Sequence, residues 1–193
     1  MATTFLLIRH AAHSRVGDTL CGRTPGVTLS AEGRRQAAAL AGRVAGAAAV
    51  VSSPVQRARE TAAAFGLPVT VDPAFEEFDF GDWAGQRFDA LAGDPAWEAW
   101  NARRGAARPP GGETMAEVRA RASAGLSRLR ATHRDATVAV VSHADVVKSV
   151  LLGVLGMPDD LHDRIEVAPA SVSRVVMWDG GAKVTGLNEV VGP

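Results

Sequence analysis

The sequence predicts an α/β fold: a three-layer α/β/α sandwich on a mostly parallel sheet, with a small irregular helical cap. Three observations predict it. Short apolar runs such as Phe5-Leu6-Leu7-Ile8 and Val138-Ala139-Val140-Val141 read as strands buried on both faces. Ala-rich stretches with helical apolar spacing separate those runs. Residues that start and stop helices, among them Ser30, Thr114, Gly66 and Gly156, fall at the joints.

The first strand is expected from Thr3 to Arg9, followed by a loop rich in Gly, Thr and Pro. Ser30 is an N-cap with Glu32 in the favourable first turn, and its helix runs to about Ala45. Ala49 to Ser52 is a second buried strand. Ser53-Pro54 reads as a helix start, cap then first-turn proline, with the helix reaching Phe65 and stopping at Gly66. Val69 to Val71 is a third strand. Asp94-Pro95 opens a short helix whose Trp97 and Trp100 read as packing residues. Thr114 and Glu117 form a capping box for a long helix with Met115, Val118, Ala122, Leu126 and Leu129 at helical spacing. The strand from Thr137 to Val141 precedes a helix from Asp145 to Leu155, stopped by Gly156 and Pro158. Val172 to Trp178 and Lys183 to Val190 are the closing strands.

The 193 residues suit one well-cored domain, read here as 1–193, with residues 82–113 as a cap insertion. Basic and acidic residues balance at 21 each, so no global field draws the chain to nucleic acid or to a membrane surface. No run approaches the length of a membrane span, and the start carries no basic targeting segment. One cysteine, Cys21, fits a reducing compartment and reads as a small filler. The expected location is the cytoplasm. A homodimer is compatible with the sequence but not demanded by it.

The chemistry collects at strand ends, where ligands bind in parallel α/β sheets. Arg9-His10 ends the first strand, and Ser52-Ser53-Pro54 ends the second with Arg57 one turn into the next helix. Ser142-His143 ends the strand from Thr137. Arg grips phosphate through paired hydrogen bonds, neutral imidazole can carry a phosphoryl group, and helix N-termini attract anions. Glu76 and Glu77 lie among Phe75, Phe78, Phe80 and Trp83; a carboxyl in such company has a raised pKa, which suits a general acid.

These motifs resemble the histidine phosphatase, or phosphoglycerate mutase-like, superfamily. Leu7 to His10 match the opening motif, with Ala11 where the family has Gly. Ser52 to Ala62 match Ser-Ser-Pro-x-x-Arg-Ala-x-x-Thr-Ala residue for residue. Glu77, Phe80, Gly81 and Trp83 match the acid segment, Gly111 to Thr114 the Gly-Gly-Glu turn, and His143 the second histidine, with Ala144 replacing its Gly. The resemblance implies a nucleophilic His10, phosphate contacts from Arg9, Arg57 and His143, and Glu77 as acid and then base. It implies no metal and no cofactor. Arg23 either grips a second anionic group of the substrate or is a solvated loop charge. Ser14 is carried as a further substrate contact, and His13 is open between substrate and solvent. His133 and His162 read as surface residues.

The implied activity is metal-independent hydrolysis of a small phosphorylated metabolite through phosphohistidine. A phosphoglycerate mutase is the nearest alternative, although mutases of the family tend to be longer in the middle. A phosphatase acting on protein phosphohistidine is a second alternative, though that branch usually lacks a middle insertion. A catalytically inactive phosphate-binding module is the alternative of another class.

Overall fold

A computed structural model describes residues 1–190; the last three positions of the single-domain reading, 191–193, lie outside the described residues. The strands are β1 (Ala2–Arg9), β2 (Ala49–Ser52), β3 (Val69–Val71), β4 (Thr137–Ser142), β5 (Val172–Trp178) and β6 (Gly181–Glu189). The helices are α1 (Ala31–Val44), α2 (Gln56–Ala63), α3 (Phe88–Leu91), α4 (Pro95–Ala102), α5 (Met115–Thr132) and α6 (Ala144–Leu155). The sheet order is β3-β2-β4-β1-β5-β6. The first four strands are parallel; β5 and β6 pair antiparallel, which periodicity alone does not reveal.

The layers follow from alternation along the central strands. Phe5, Leu7, Val138 and Val140 face α5 and α6, packing with Val118, Leu126, Val147 and Leu151. Leu6, Ile8, Ala139 and Val141 face α1 and α2, packing with Leu40, Val44 and Ala58. Both faces are therefore apolar, as a parallel sheet requires.

Capping follows the sequence at three helices. Ser30 accepts from Gly33 N, Thr114 and Glu117 close a capping box, and Asp94 accepts from Ala96 N. The expected start of α2 is corrected. Val55, not Ser53, is the N-cap, and the helix begins at Gln56. Ser53 Oγ instead accepts from Val55 N and meets a histidine across the sheet edge, so it serves the strand-end loop. The last strand begins at Gly181 and ends at Glu189, leaving Val190 outside it. His133 and His162 are half-buried rather than exposed. Burial lowers the His162 pKa to about 4.

The segment 82–113 holds α3 and α4, and its aromatics form a compact stack. Trp100 is buried beside Phe78, Phe80 and Trp83, with Trp97 stacked on it at 5.4 Å between ring centroids. Among the described residues no helix is long and apolar enough to cross a membrane.

Candidate active site

The carboxyl ends of β1, β2 and β4 lie side by side, because β1 and β2 both pair with β4. Arg9, His10, Ser52, Ser53, Ser142 and His143 are thereby brought to one edge of the sheet. Arg57 reaches the same point from the first turn of α2 and is buried.

His10 is held on two sides. Its Nδ1 lies 2.8 Å from the Ala11 carbonyl, an acceptor only, so the ring hydrogen sits on Nδ1. The lone pair is then on Nε2, where Arg57 Nε donates at 3.0 Å. Burial and the Arg57 and Arg9 charges push the His10 pKa well below 6.5, so the imidazole is neutral at ordinary pH. A neutral ring with its lone pair directed into a cluster of donors is the form a nucleophile needs.

Arg57 ties the site together. Its Nη2 donates to the Gly22 carbonyl at 2.8 Å and to Glu77 Oε2 at 3.3 Å, and lies 3.2 Å from His143 Nδ1. Ser53 Oγ lies 2.7 Å from His143 Nε2. His143 is thus held from both ring nitrogens, Nε2 by the Ser53 hydroxyl and Nδ1 by its place beside Arg57 Nη2 and Glu77 Oε2. Arg9 donates through Nη1 to the Val167 carbonyl, while Arg9 Nε and Arg57 Nη1 are buried donors without a partner among the described residues. These are spare hydrogen bonds for an oxyanion.

Glu77, not Glu76, enters the site. Its Oε1 accepts from Phe78 N, and its backbone carbonyl accepts from Arg23 and Arg121. Desolvation raises its pKa to about 7, outweighing the Arg57 charge, with Asp145 adding to the rise.

The site opens into a cleft of about 160 Å³. His13, Val16, Leu20, Phe80, Phe88 and Asp145 contribute to its wall. The His13 ring lies tilted against His10 with centroids 5.4 Å apart, and burial lowers its pKa to about 4. Cys21 also lines the cleft, but burial pushes its thiol up, away from the reactive thiolate. Arg23 does not line the cleft. Its guanidinium is occupied by the Glu77 carbonyl, Asp79 and Glu113, so the loop charge is a scaffold clamp. Ser14 is exposed and also stands off the cleft wall.

Several supporting residues escaped the sequence reading. Thr61 Oγ1 accepts from Ala11 N and donates to the Arg57 carbonyl, which places His10 and Arg57 on a common brace. It stands inside the Ser-Ser-Pro motif, so the signal was present. Gln36 accepts from Ala12 N, and Arg121 donates to the Ala74, Glu76 and Glu77 carbonyls. Nothing local in the sequence marks these two.

Ligand atoms of His10, Glu77 and His143 lie within 4.8 Å of one another, a spacing that could hold a metal ion. Arg57 stands among the same atoms, at 3.0 Å from His10, 3.3 Å from Glu77 and 3.2 Å from His143. A cation there would press against a buried guanidinium, whereas an oxyanion would be drawn to it.

A family model described as the histidine phosphatase superfamily (branch 1) matches residues 5–190. A bifunctional protein of Mycobacterium tuberculosis is 35% identical over 97% of this chain and 54% of its own length. The chain thus spans about half the length of the first curated relatives it matches. A Yersinia enterocolitica protein described as a probable phosphoglycerate mutase is 32% identical, over 76% of this chain and 72% of its own. Among solved structures, a mycobacterial glucosyl-3-phosphoglycerate phosphatase superposes with a TM-score of 0.87 at 25% identity, covering 98% of this chain and 100% of that one. With its motifs, sheet order and strand-end cluster, the chain belongs to the histidine phosphatase superfamily, branch 1.

Proposed function

We propose that this protein hydrolyses small phosphate monoesters through a phosphohistidine at His10, without a metal ion. The observation that carries the reading is the buried neutral His10, whose Nε2 lone pair meets Arg57 Nε at 3.0 Å. Phosphate oxygens are better acceptors than an imidazole nitrogen for a guanidinium. When a phosphoester binds, the Arg57 hydrogen bonds pass to it and the lone pair is released next to phosphorus.

The lone pair then forms the N–P bond as the ester P–O bond breaks. Glu77, protonated up to about pH 7, gives its proton to the departing oxygen. Arg9, Arg57 and His143 hold the equatorial oxygens, where phosphoryl transfer gathers its charge. In the second half, the Glu77 carboxylate takes a proton from water as the water oxygen attacks phosphorus. The N–P bond breaks, inorganic phosphate leaves, and His10 and Glu77 return to their starting states.

The test is hydrolysis of alkyl and nitrophenyl phosphates after exhaustive chelation. Activity retained with chelator and lost in His10→Ala supports the reading. Activity abolished by chelator and restored by a divalent metal would overturn it.

A further inference from the structure

Asp145 is not a reacting group in the chemistry above, beyond helping to raise the Glu77 pKa, yet it lines the same cleft as His10, Arg9 and Arg57. It stands in the first turn of α6, two residues after His143. Its Oδ1 accepts from Arg104 Nη1 at 2.7 Å; among the described residues no other donor reaches the carboxylate. Arg104 itself is turned into the cap, with its guanidinium 3.7 Å over the Trp100 ring. The cleft-facing member of the pair is therefore the carboxylate, with one oxygen uncommitted.

The rest of the wall gives this charge its meaning. Among the described residues, Arg9 and Arg57 are the only Arg or Lys side chains on the wall, and both belong to the phosphate end. Arg23, the candidate for a second anion, is consumed by the Glu77 carbonyl, Asp79 and Glu113. His13 is buried near charged arginines and provides no cation near neutrality. The rest of the wall carries no cation: it is Val16, Leu20, Phe80 and Phe88, with the uncharged Thr19 among them. A leaving group with its own negative charge would find no counter-charge there and would face Asp145.

On the phosphatase reading proposed above, we infer that Asp145 selects the leaving group. It favours phosphate esters of small alcohols that present a hydroxyl or an ammonium, and it disfavours those that present a carboxylate. At about 160 Å³ the cleft lies below the common range of roughly 300–1,000 Å³ for ligand pockets, which keeps the favoured alcohol small. Like-charge juxtaposition is an effective device against a wrong substrate.

Matched esters test this. Glycerol 3-phosphate and 3-phosphoglycerate differ by a hydroxymethyl in place of a carboxylate; phosphoethanolamine and phosphoglycolate differ by an aminomethyl in place of one. The wild-type kcat/KM should favour the uncharged or cationic member of each pair by about tenfold or more, the lower end of what a pocket contact discriminates. Asp145→Asn should bring both ratios close to unity. Arg104→Gln, which removes the partner but keeps the carboxylate, should preserve or widen them. A wild-type preference for 3-phosphoglycerate would overturn the inference without any variant. Ratios unmoved by Asp145→Asn would also overturn it and leave Asp145 as a helix-end acid. Nitrophenyl phosphate separates the two levels: turnover of it with the carboxylate esters preferred defeats only the inference. No turnover of any ester defeats the phosphatase reading as well.

Discussion

Arg57 Nε donates to His10 Nε2 across 3.0 Å, while Nη2 of the same guanidinium reaches Glu77 Oε2 at 3.3 Å. One buried cation is thus shared by the nucleophile and the acid. A rigid planar fork does this; a lysine ammonium, a point charge on a flexible stem, cannot address both at once.

Arg57→Ala should therefore cost about 2–4 kcal/mol of transition-state stabilisation, the scale for one preorganised donor. Arg57→Lys should recover little of it. Steady-state kcat/KM measures both. A loss below about tenfold in Arg57→Ala, roughly 1.4 kcal/mol, would show that Arg57 does not act on the transferring group.

Glu77 should matter in proportion to the basicity of the leaving group. An alkoxide needs a proton, whereas nitrophenolate departs without help. General acid catalysis is worth about 10²–10⁴-fold, most of it on the poorer leaving group. Glu77→Gln should slow phosphoenzyme formation from alkyl phosphates far more than from nitrophenyl phosphate, and Glu76→Gln should do little. With the acid's pKa raised to about 7, the rate on alkyl phosphates should fall as pH rises through that value in the wild type. Equal slowing of both ester classes would move the acid elsewhere.

Stability should fall on the acid side of neutrality. His10 and His143 lie well below 6.5 in the folded chain, and His13 and His162 are lowered to about 4. Below 6.5 the unfolded chain takes up protons that these folded rings refuse, so lowering the pH favours unfolding. Glu77 opposes this. Its folded pKa of about 7 against 4.5 makes the folded chain hold an extra proton in that window. Four rings outweigh one carboxyl, so Tm should drop between about pH 7 and about pH 5, and Glu77→Gln should steepen the drop. A flat or rising Tm over that range would contradict the assignment.

Gly33 should tolerate no side chain. A Cβ there would lie 1.8 Å from the Ala12 carbonyl oxygen, which already accepts from Ser30 N at 3.0 Å. Gly33→Ala should destabilise by about 1–3 kcal/mol, the usual cost of overpacking. Because Ala12 is two residues from His10, kcat should fall with it. Denaturant midpoints and turnover together check this; unchanged values of both would show that α1 does not brace the loop.

The parts of the molecule that local sequence governs were legible in it. Apolar runs buried on both faces located β1, β2 and β4, and polar caps located the starts of α1, α4 and α5. Arg9, His10 and His143 could be named because they stand at strand ends, Arg57 because it lies in the first turn of the helix after β2, and Glu77 because of its own aromatic-flanked motif. What escaped depends on partners far along the chain. Ser53 looks like a helix cap but is drawn to His143, 90 residues on. Arg23 looks like a free loop charge but pairs with Glu113, and Asp145 acquires its setting only when Arg104 folds over it. The antiparallel direction of β5 and β6 left no mark in periodicity.

The most direct test of the phosphohistidine mechanism is to trap the covalent intermediate. Enzyme turning over a labelled phosphate ester is quenched within milliseconds and its peptides are mapped. A phosphohistidine mechanism predicts an acid-labile, base-stable phosphate on His10, formed before phosphate release and absent from His10→Ala. Label on another residue, or full activity in His10→Ala, would contradict it.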